Sequence, residues 1–335
     1  MSVEELAERP QFAEDDAASA AALRAFAASE RPLARFDRPR AATPTRVAVV
    51  SDPHVSVDAE GTWKVFHRTQ ELFRETLADA ERRGADAIVV SGDLTKDGEE
   101  RDIACVRSIL DDVGVPVLVV PGNHDVKERR VARFERLFTD GGFPVRLSLG
   151  GLDVVGLNSA TALGPDGEEA ATVSDAQLER LDGMLADSAE AIVVSHHNLP
   201  GLAAHVGDDW APHPPVENAD ALLDVLSRHD VPLHLSGHVH LLSLVRERGV
   251  RGLVSPGLCS FPQSYLLLDV DETGTTVRSR TAATREQVAA AYEASQSHSA
   301  RSSVISGLNA EQLSNLPLVD ERADPTGEIR PIRSD

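Results

Sequence analysis

The sequence contains very little lysine. Lys64, Lys96 and Lys127 are the only lysines in 335 residues, and 54 acidic residues outnumber 33 basic ones, which gives a formal net charge of −21. Proteins bind long nucleic acids by neutralising phosphates with lysine and arginine, so this balance disfavours DNA or RNA as a partner. Aromatic residues, at 4%, also offer few surfaces on which unpaired bases could stack. A small substrate fits this composition better.

Long apolar segments and a cysteine framework are missing too. No run of about 18 apolar residues suits a membrane helix, and the N-terminal stretch MSVEELAERPQFAEDD is acidic where a secretory signal is positively charged. We therefore expect a cytoplasmic protein without a membrane partner. Cys105 and Cys259 form no CxxC or CxxxH motif and are predicted to be reduced thiols. The 41% of apolar residues is enough for a sizeable core and excludes a wholly disordered chain.

Short runs rich in valine and isoleucine alternate with amphipathic segments from residue 46 onward. RVAVVS, DAIVVSG and PVLVVPG are separated by helical patterns at residues 65–83 and 99–113. This alternation indicates βαβ units and a mostly parallel sheet. Further along, VRLSL and LDVVGLN predict a hairpin, and AIVVS and PLHLSG predict two more strands. Four later runs, LSLVRE, RGLVS, SYLLLDV and TTVRSR, suggest a second, antiparallel sheet.

The chain divides into three parts by composition. Residues 1–44 are predicted to be an N-terminal extension, helical at 15–28. Residues 45–282 hold the strand and helix pattern of the main, catalytic domain. Residues 283–335 predict one helix at 285–294 and then a flexible, Ser- and Asn-rich tail. Inside the main domain, Ser174 and Gln177 have the spacing of a capping box at the start of a helix over 174–187.

Five of the apolar runs are followed by side chains that bind metals. In chain order these side chains are Asp52 and His54, then Asp93, then Asn123, His124 and Asp125, then His196, and finally His238 and His240. Parallel strands bring their carboxyl ends to one edge of a sheet, so the five clusters should converge there. Glycine before Asp93, Asn123 and His238 permits a sharp turn, and the i, i+2 pairs would point the same way in locally extended backbone.

The donor types predict two divalent cations. Oxygen and nitrogen ligands without thiolate suit Mn, Fe, Zn, Ni or Co rather than a structural zinc cage. One carboxylate can bridge two cations about 3.5–4 Å apart, the spacing that clamps both oxygens of an in-line phosphoryl displacement, and Asp93 is the natural bridge. With Asp52, Asp93 and a bridging hydroxide, the inner site would carry a net charge of about +1 and attract phosphate despite the acidic chain.

The motifs resemble those of a known family. Asp52-x-His54, Gly92-Asp93, Gly122-Asn123-His124-Asp125, His196 and Gly237-His238-x-His240 match, in order, the five blocks of the calcineurin-like metallophosphoesterases. SGDLTKDGE, SHHNLP and SPGLCSFPQSY are most similar to the class III cyclic nucleotide phosphodiesterases. The resemblance implies an α/β fold of two packed mixed β-sheets flanked by helices. It also implies hydrolysis of a small phosphodiester, such as a cyclic nucleotide, by a hydroxide that bridges the metals.

The same resemblance assigns roles to individual residues. One metal would be held by Asp52, His54, Asp93 and His240, and the other by Asp93, Asn123, His196 and His238. His124 would protonate the leaving group or steady a phosphoryl oxygen, and Asp125 would orient His124. The loops at 55–63 and 199–215 are expected to determine which small phosphoester is accepted.

Several alternatives stay open at this stage. A phosphomonoesterase or a nuclease would use the same ligands, and a non-catalytic binding scaffold would retain the fold. His197 could face the substrate or pack behind the ligands, and Asn158 could line the cleft or form a turn. His234 alternates within a strand and is predicted to be buried and hydrogen-bonded. Walker A, HExxH and GxSxG motifs do not occur, so the sequence lacks the parts of a P-loop motor, a zincin protease and a serine esterase.

Overall fold

The computed structural model describes residues 17–127, 131–161, 170–202, 215–324 and 326–329. The strands of this part are β1 (Ala34–Phe36), β2 (Thr45–Val50), β3 (Ala87–Val90), β4 (Val117–Val119), β5 (Val145–Leu149), β6 (Leu152–Gly156), β7 (Ala191–Val194), β8 (Leu233–Ser236), β9 (Ser243–Glu247), β10 (Val250–Val254), β11 (Tyr265–Asp271), β12 (Gly274–Arg280) and β13 (Val319–Asp320). Its helices are α1 (Ala17–Ser29), α2 (Phe66–Arg82), α3 (Glu100–Asp111), α4 (Val131–Phe138), α5 (Asp175–Ala186), α6 (Ala219–Arg228), α7 (Arg285–His298) and α8 (Ala300–Ser314).

Two mixed sheets pack face to face within these residues. One has the strand order β13-β1-β12-β11-β2-β3-β4 and the other the order β5-β6-β7-β8-β10-β9. The largest apolar cluster joins side chains of both, such as Val49 and Val89 from the first sheet with Ile192 and Leu235 from the second. The central strands β3 and β7 are buried along their whole length because helices cover the outer faces. The predicted sandwich of two mixed sheets flanked by helices is confirmed.

The four late strands do not form a sheet of their own, and that prediction was wrong. β10 pairs in parallel with β8 and antiparallel with β9, so this hairpin extends the second sheet. β11 lies antiparallel between β2 and β12 in the first sheet. Tyr265, Leu266, Leu267 and Leu268 are all buried, and a strand buried on both faces belongs in the middle of a sheet. Local turn residues predict which strands form hairpins, whereas packing determines which other strands each hairpin pairs with.

The described residues of both terminal segments are built into the fold. β1 pairs antiparallel with β12 and parallel with β13, which is close to the C-terminus. The prediction of one C-terminal helix and a flexible tail was wrong for the described residues, because α8 and β13 follow α7. α8 carries Ile305, Leu308 and Leu313 on a buried face at helical spacing, which stabilises a helix that its serine-rich composition did not suggest.

The start of α5 shows how packing changes a local motif. Ser174 accepts a hydrogen bond from the Gln177 amide nitrogen, as a capping residue does. The Gln177 side chain does not return this bond, and instead binds both the amide and the carbonyl of Asn158 at 2.9 Å. A buried peptide group needs partners more than the exposed helix end does, so only half of the predicted capping box forms.

No helix in the described part of the chain is long and apolar enough to cross a membrane. Cys105 and Cys259 are both free thiols, as the sequence indicated.

A buried ion pair ties the C-terminus to the second sheet and yields a first prediction. Glu321 is 5% exposed and accepts two bonds from the Arg251 guanidinium, at 2.6 and 2.5 Å, besides a bond from Arg246. We expect Glu321→Ala to lower the free energy of unfolding by about 3–5 kcal/mol, because it leaves the mostly buried Arg251 guanidinium, 13% exposed, without its carboxylate partner. Denaturant titration measures this loss.

The matched control is Arg248→Ala, which removes an exposed arginine paired with Asp220 and Asp224. Exposed pairs contribute about 0–1 kcal/mol. An equal, small loss in both variants would mean that the segment after α8 does not unfold together with the domain.

Candidate metal centre

The side chains that follow five strands meet at one edge of the sandwich. A first group surrounds the gap between β2 and β8. The Nε2 atom of His54 lies 3.3 Å from Asp93 Oδ2 and 3.7 Å from Asp52 Oδ1, and the Nε2 atom of His240 lies 3.4 Å from the same Asp52 oxygen. Four donors from three separate segments are therefore linked by contacts of 3.3–3.7 Å.

A second group shares Asp93 with the first. The Nε2 atom of His196 lies 3.4 Å from Asp93 Oδ2 and 3.2 Å from Asn123 Oδ1. The Nδ1 atom of His238 lies 3.1 Å from the same Asn123 oxygen. Asp93 Oδ2 is therefore the atom common to both groups, which is the place of a bridging ligand.

The donor spacing fits metal ions. Two donors bound about 2.0–2.2 Å from one tetrahedral ion lie about 3.3–3.6 Å apart, close to the separations found here. Asp52 Oδ1 and His240 Nε2 are buried, lie 3.4 Å from each other and have no other polar partner at hydrogen-bond distance within the described residues. Asp52 and Asp93 are 0% and 2% exposed, and buried carboxylates require a positive partner. The Lys64 ammonium, 2.9 Å from His54 Nε2, shows that a cation is accommodated there.

The backbone at the ligands is strained. Five of the seven proposed ligands have positive φ angles, a region that non-glycine residues rarely adopt: Asp52 at 51°, His54 at 44°, Asp93 at 50°, His238 at 69° and His240 at 56°. The assumption that the two i, i+2 pairs are locally extended was therefore wrong. Left-handed conformations cost about 1–2 kcal/mol each, and clusters of them occur at functional sites.

Two glycines make this arrangement possible in different ways. Gly92, before Asp93, has a φ of 98°, as expected of a sharp turn. Gly122, before Asn123, is needed for close approach, because a Cβ atom there would lie 2.0 Å from Asp93 Oδ1 and 2.3 Å from the Asp93 amide nitrogen.

Hydrogen bonds at Nδ1 orient two of the proposed histidine ligands. His196 Nδ1 lies 2.8 Å from the Ser91 carbonyl, and His240 Nδ1 lies 2.9 Å from Ser260 Oγ, so both rings turn Nε2 toward the site. Burial lowers the pKa of His54 and of His240, with Lys64 adding to the effect, which keeps these rings neutral and able to bind a metal.

His196 differs from these two rings in its charge. Burial opposes its protonation, but the carboxylates of Asp93 and Asp52 prevail and raise the pKa of His196 to about 9. Binding a divalent cation there would displace this proton.

The structure places His124 beside His54, but Asp125 does not orient the His124 ring as expected. The His124 ring packs edge-on against His54, with centroids 4.6 Å apart, and its Nδ1 atom contacts the Lys96 carbonyl. The hydrogen bonds of the Asp125 carboxylate go to the amides of Leu94, Thr95 and Gly122 and to the Thr95 hydroxyl, not to the imidazole. Asp125 thus fixes the two ligand loops against each other, because a buried carboxylate needs several donors.

Three other polar residues are buried and do not line the pocket that contains Asp93 and His124. His197 is buried, its Nδ1 atom lies 2.9 Å from Ser159 Oγ, and its ring packs on His238 with centroids 4.4 Å apart. Asn158 accepts a bond from the Ala160 amide and so forms a turn. His234 is buried and hydrogen-bonded to Ser195, as predicted, and burial lowers its pKa to about 4.

The buried Cys259 thiol lies 3.8 Å from His240 Nδ1, the nitrogen that faces away from Asp52. Burial raises the pKa of this thiol, which keeps it protonated.

Comparison with known sequences assigns this geometry to a family. The sequence model described as "Calcineurin-like phosphoesterase" matches residues 45–242, more than half of the chain. The protein belongs to this family. As a calcineurin-like phosphoesterase it is a metal-dependent hydrolase of phosphoric esters.

Relatives and solved structures agree with this family. A probable cyclic nucleotide phosphodiesterase of Vesicomyosocius okutanii is 24% identical over 210 residues, covering 62% of this chain and 83% of its own. Another, from Synechococcus, is 26% identical over 205 residues, covering 61% and 76%. A dimetal phosphatase from Danio rerio has a TM-score of 0.54 at 18% identity, over 72% of this chain and all of its own. That structural likeness shows a shared fold.

The wall of the pocket contains residues that sequence reasoning missed. Trp63, Lys64, Arg301 and Ile305 line the same pocket as Asp93 and the proposed ligands His238 and His240. Trp63 belongs to the loop expected to influence substrate choice, whereas residues 203–214 of the second such loop lie outside the described residues. Arg301 and Ile305 belong to α8, beyond the part that matches the phosphoesterase family.

The positions of the three lysines in the sequence could have indicated which residues surround the site. Lys64 contacts His54, Lys96 contacts His124 through its carbonyl, and the Lys127 ammonium lies 3.3 Å from His124 Nδ1. Asp97 pairs with the side chains of both Lys96 and Lys127. All three lysines of this acidic chain therefore lie at the phosphoesterase site, and two of them follow Asp93 and His124 by three residues.

The close approach of Gly122 yields a second prediction. Gly122→Ala should reduce the amount of bound divalent metal, because the added methyl group must displace Asp93, the proposed bridge. Elemental analysis after loading with Mn measures the loss, and circular dichroism checks that the fold is retained.

Gly183→Ala is the control, since a Cβ atom at this position in α5 meets nothing within 4 Å. It should bind as much metal as the wild type and be about 0.5–1 kcal/mol more stable, because alanine is the better helix former. Full metal content in Gly122→Ala would show that Asp93 is not held by this contact.

Proposed function

We propose that this phosphoesterase hydrolyses a small phosphodiester, with cyclic nucleotides as the candidate class, at two divalent cations that share Asp93. The observation that supports this most strongly is the pair of donor groups meeting at Asp93 Oδ2. The probable cyclic nucleotide phosphodiesterases among the relatives support the diester part of the proposal.

The residues present would hold the two ions as the family resemblance implies. Asp52, His54, Asp93 and His240 would bind one, and Asp93 with Asn123, His196 and His238 would bind the other. When bound, two such cations neutralise the phosphoryl oxygens and activate water for in-line attack. Mn, Fe, Zn, Ni and Co all suit this nitrogen and oxygen donor set.

The protein's own groups would position the substrate and handle the proton. The His124 amide donates to Asp93 Oδ1 at 2.9 Å, which holds the shared carboxylate in place. With Nδ1 against the Lys96 carbonyl, the Nε2 atom of the His124 ring is the one left to protonate a leaving oxygen. Asp125 positions these loops and does not contact the reacting atoms.

The alternatives differ in substrate rather than in ligands. A monoesterase could use the same centre, and assays separate it from a diesterase. A nuclease would have to bind a long polyanion on a chain of net charge −21. A non-catalytic scaffold would be expected to have lost a ligand, whereas all seven proposed ligand side chains are present and each lies within 3.7 Å of another member of the set.

A substrate panel tests the proposal. Mn-loaded protein should cleave bis(p-nitrophenyl) phosphate and 2′,3′- or 3′,5′-cyclic nucleotides with a higher kcat/KM than p-nitrophenyl phosphate. Metal-free protein and Asp93→Ala should be inactive, because the shared ligand is lost. Undiminished turnover by verified metal-free enzyme would contradict the two-metal mechanism. A clear preference for the monoester with several metals would contradict the diester assignment alone.

His124 yields a separate prediction about the leaving group. His124→Ala should keep both metals and lower kcat on a cyclic nucleotide by about 10² to 10⁴, the usual contribution of a positioned general acid. The loss on bis(p-nitrophenyl) phosphate should be much smaller, because p-nitrophenolate leaves without a proton.

The control is His229→Ala, since His229 pairs with Asp182 beyond α6, at the opposite end of the strands. It should leave both rates unchanged. Equal losses on both substrates in His124→Ala would instead indicate that His124 stabilises a phosphoryl oxygen by charge.

A further inference from the structure

Helix α8 forms one side of the metal pocket. Arg301 and Ile305 from this helix line the pocket together with Lys64 and Trp63 from the loop before α2, and with Asp93 and His124. α8 starts 58 residues after the end of the family match at residue 242. The pocket is therefore completed by a segment that the family pattern does not include.

A buried side chain anchors α8 to the loop that contains His240. Asn309 is 0% exposed, accepts a bond from the Leu242 amide at 2.8 Å and donates to the His240 carbonyl at 2.9 Å. His240 is a proposed metal ligand, so the helix is attached directly to the backbone of the metal-binding loop. A buried amide with both ends bonded holds its element in one register.

The residue spacing in α8 places Arg301 and Ile305 on the same helix face as Asn309, and therefore at the pocket. Arg301, Ile305 and Asn309 are four residues apart, so they lie along one face of the helix. Ile305 is 2% exposed and packs in a small apolar cluster with Val239, against which Trp63 also packs. One turn before Ile305, Arg301 is exposed at the edge of the same pocket.

We propose that Arg301 is a substrate-binding residue that holds the anionic phosphoryl group at the pocket mouth, while Ile305 and Trp63 contact the apolar part of the ester. The proposal rests on the proposed function for the class of substrate. It adds that α8 makes this phosphoesterase selective for charge.

Electrostatics explain why arginine is needed at this place. A chain with a net charge of −21 repels phosphate at long range, so an incoming anion must be captured by local cations. Lys64 and Arg301 line the pocket wall, and Lys64 already contacts His54. The planar guanidinium can donate two parallel hydrogen bonds to phosphate oxygens, which an ammonium group cannot match.

The test measures binding of inorganic phosphate to the full-length, Mn-loaded protein by isothermal titration calorimetry, along with kinetics on bis(p-nitrophenyl) phosphate. Arg301→Ala should weaken phosphate binding and raise KM by about 10- to 100-fold, the usual effect of losing a charged hydrogen bond. Its kcat should change by less than about threefold, and its metal content should equal that of the wild type. Arg301→Lys should lie between the two, because it keeps the charge without the planar fork.

Arg285→Ala is the matched control, since Arg285 is exposed in the first turn of α7 as Arg301 is in the first turn of α8. It should match the wild type in every measurement. Unchanged phosphate binding in Arg301→Ala would overturn the proposal, and so would a loss of metal or a fall confined to kcat.

The calorimetric measurement separates this proposal from the proposed function. If the wild type hydrolysed no phosphoester but its phosphate binding depended on Arg301, the proposed function would fail and the anion site would stand. If the wild type were active and Arg301→Ala bound phosphate normally, only the role of Arg301 would be lost.

Discussion

Two carboxylates with almost no exposure, Asp52 and Asp93, lie where the carboxyl ends of β2 and β3 meet. A buried negative charge is stable only beside positive charge or several donors. Burial opposes ionisation of Asp93, yet the surrounding histidines, His196 foremost, hold its pKa well below the usual range. The other side chains of the site lie around these two carboxylates. Each hydrogen-bond donor or positive group among them offsets part of the free energy needed to bury two negative charges. A pair of divalent cations offsets it most fully.

The strained ligand backbone depends in turn on the rest of the fold. Five proposed ligands with positive φ angles are held by well-packed parts: the buried β2, β3 and β8 strands, the hydrogen bonds of Asp125, and the close contact at Gly122. Such strain persists only where the surrounding structure over-determines it. The apolar sandwich thus stabilises a site that its local sequence would not hold in this shape.

The site has basic side chains around it although the protein as a whole is acidic. The chain is strongly acidic, yet its three lysines and Arg301 lie around the calcineurin-like phosphoesterase site. Cations close to a pocket act through short distances and low dielectric, whereas the acidic surface is screened by solvent and salt. With two divalent cations bound, these side chains would add to a local positive charge that attracts an anionic substrate.

The sequence by itself determined the βαβ pattern, the family and the proposed metal ligands, because these depend on periodicity and on donors placed directly after strands. Only the tertiary structure decided that β11 lies beside β2, that Asp125 joins two loops instead of orienting His124, and that Asp52, His54, His238 and His240 are left-handed. It also decided that α8, whose residues suggested a tail, completes the pocket through Asn309. These features arise from contacts between residues far apart in the chain. Local patterns do not encode them, because a buried group takes whichever partner packing brings within reach.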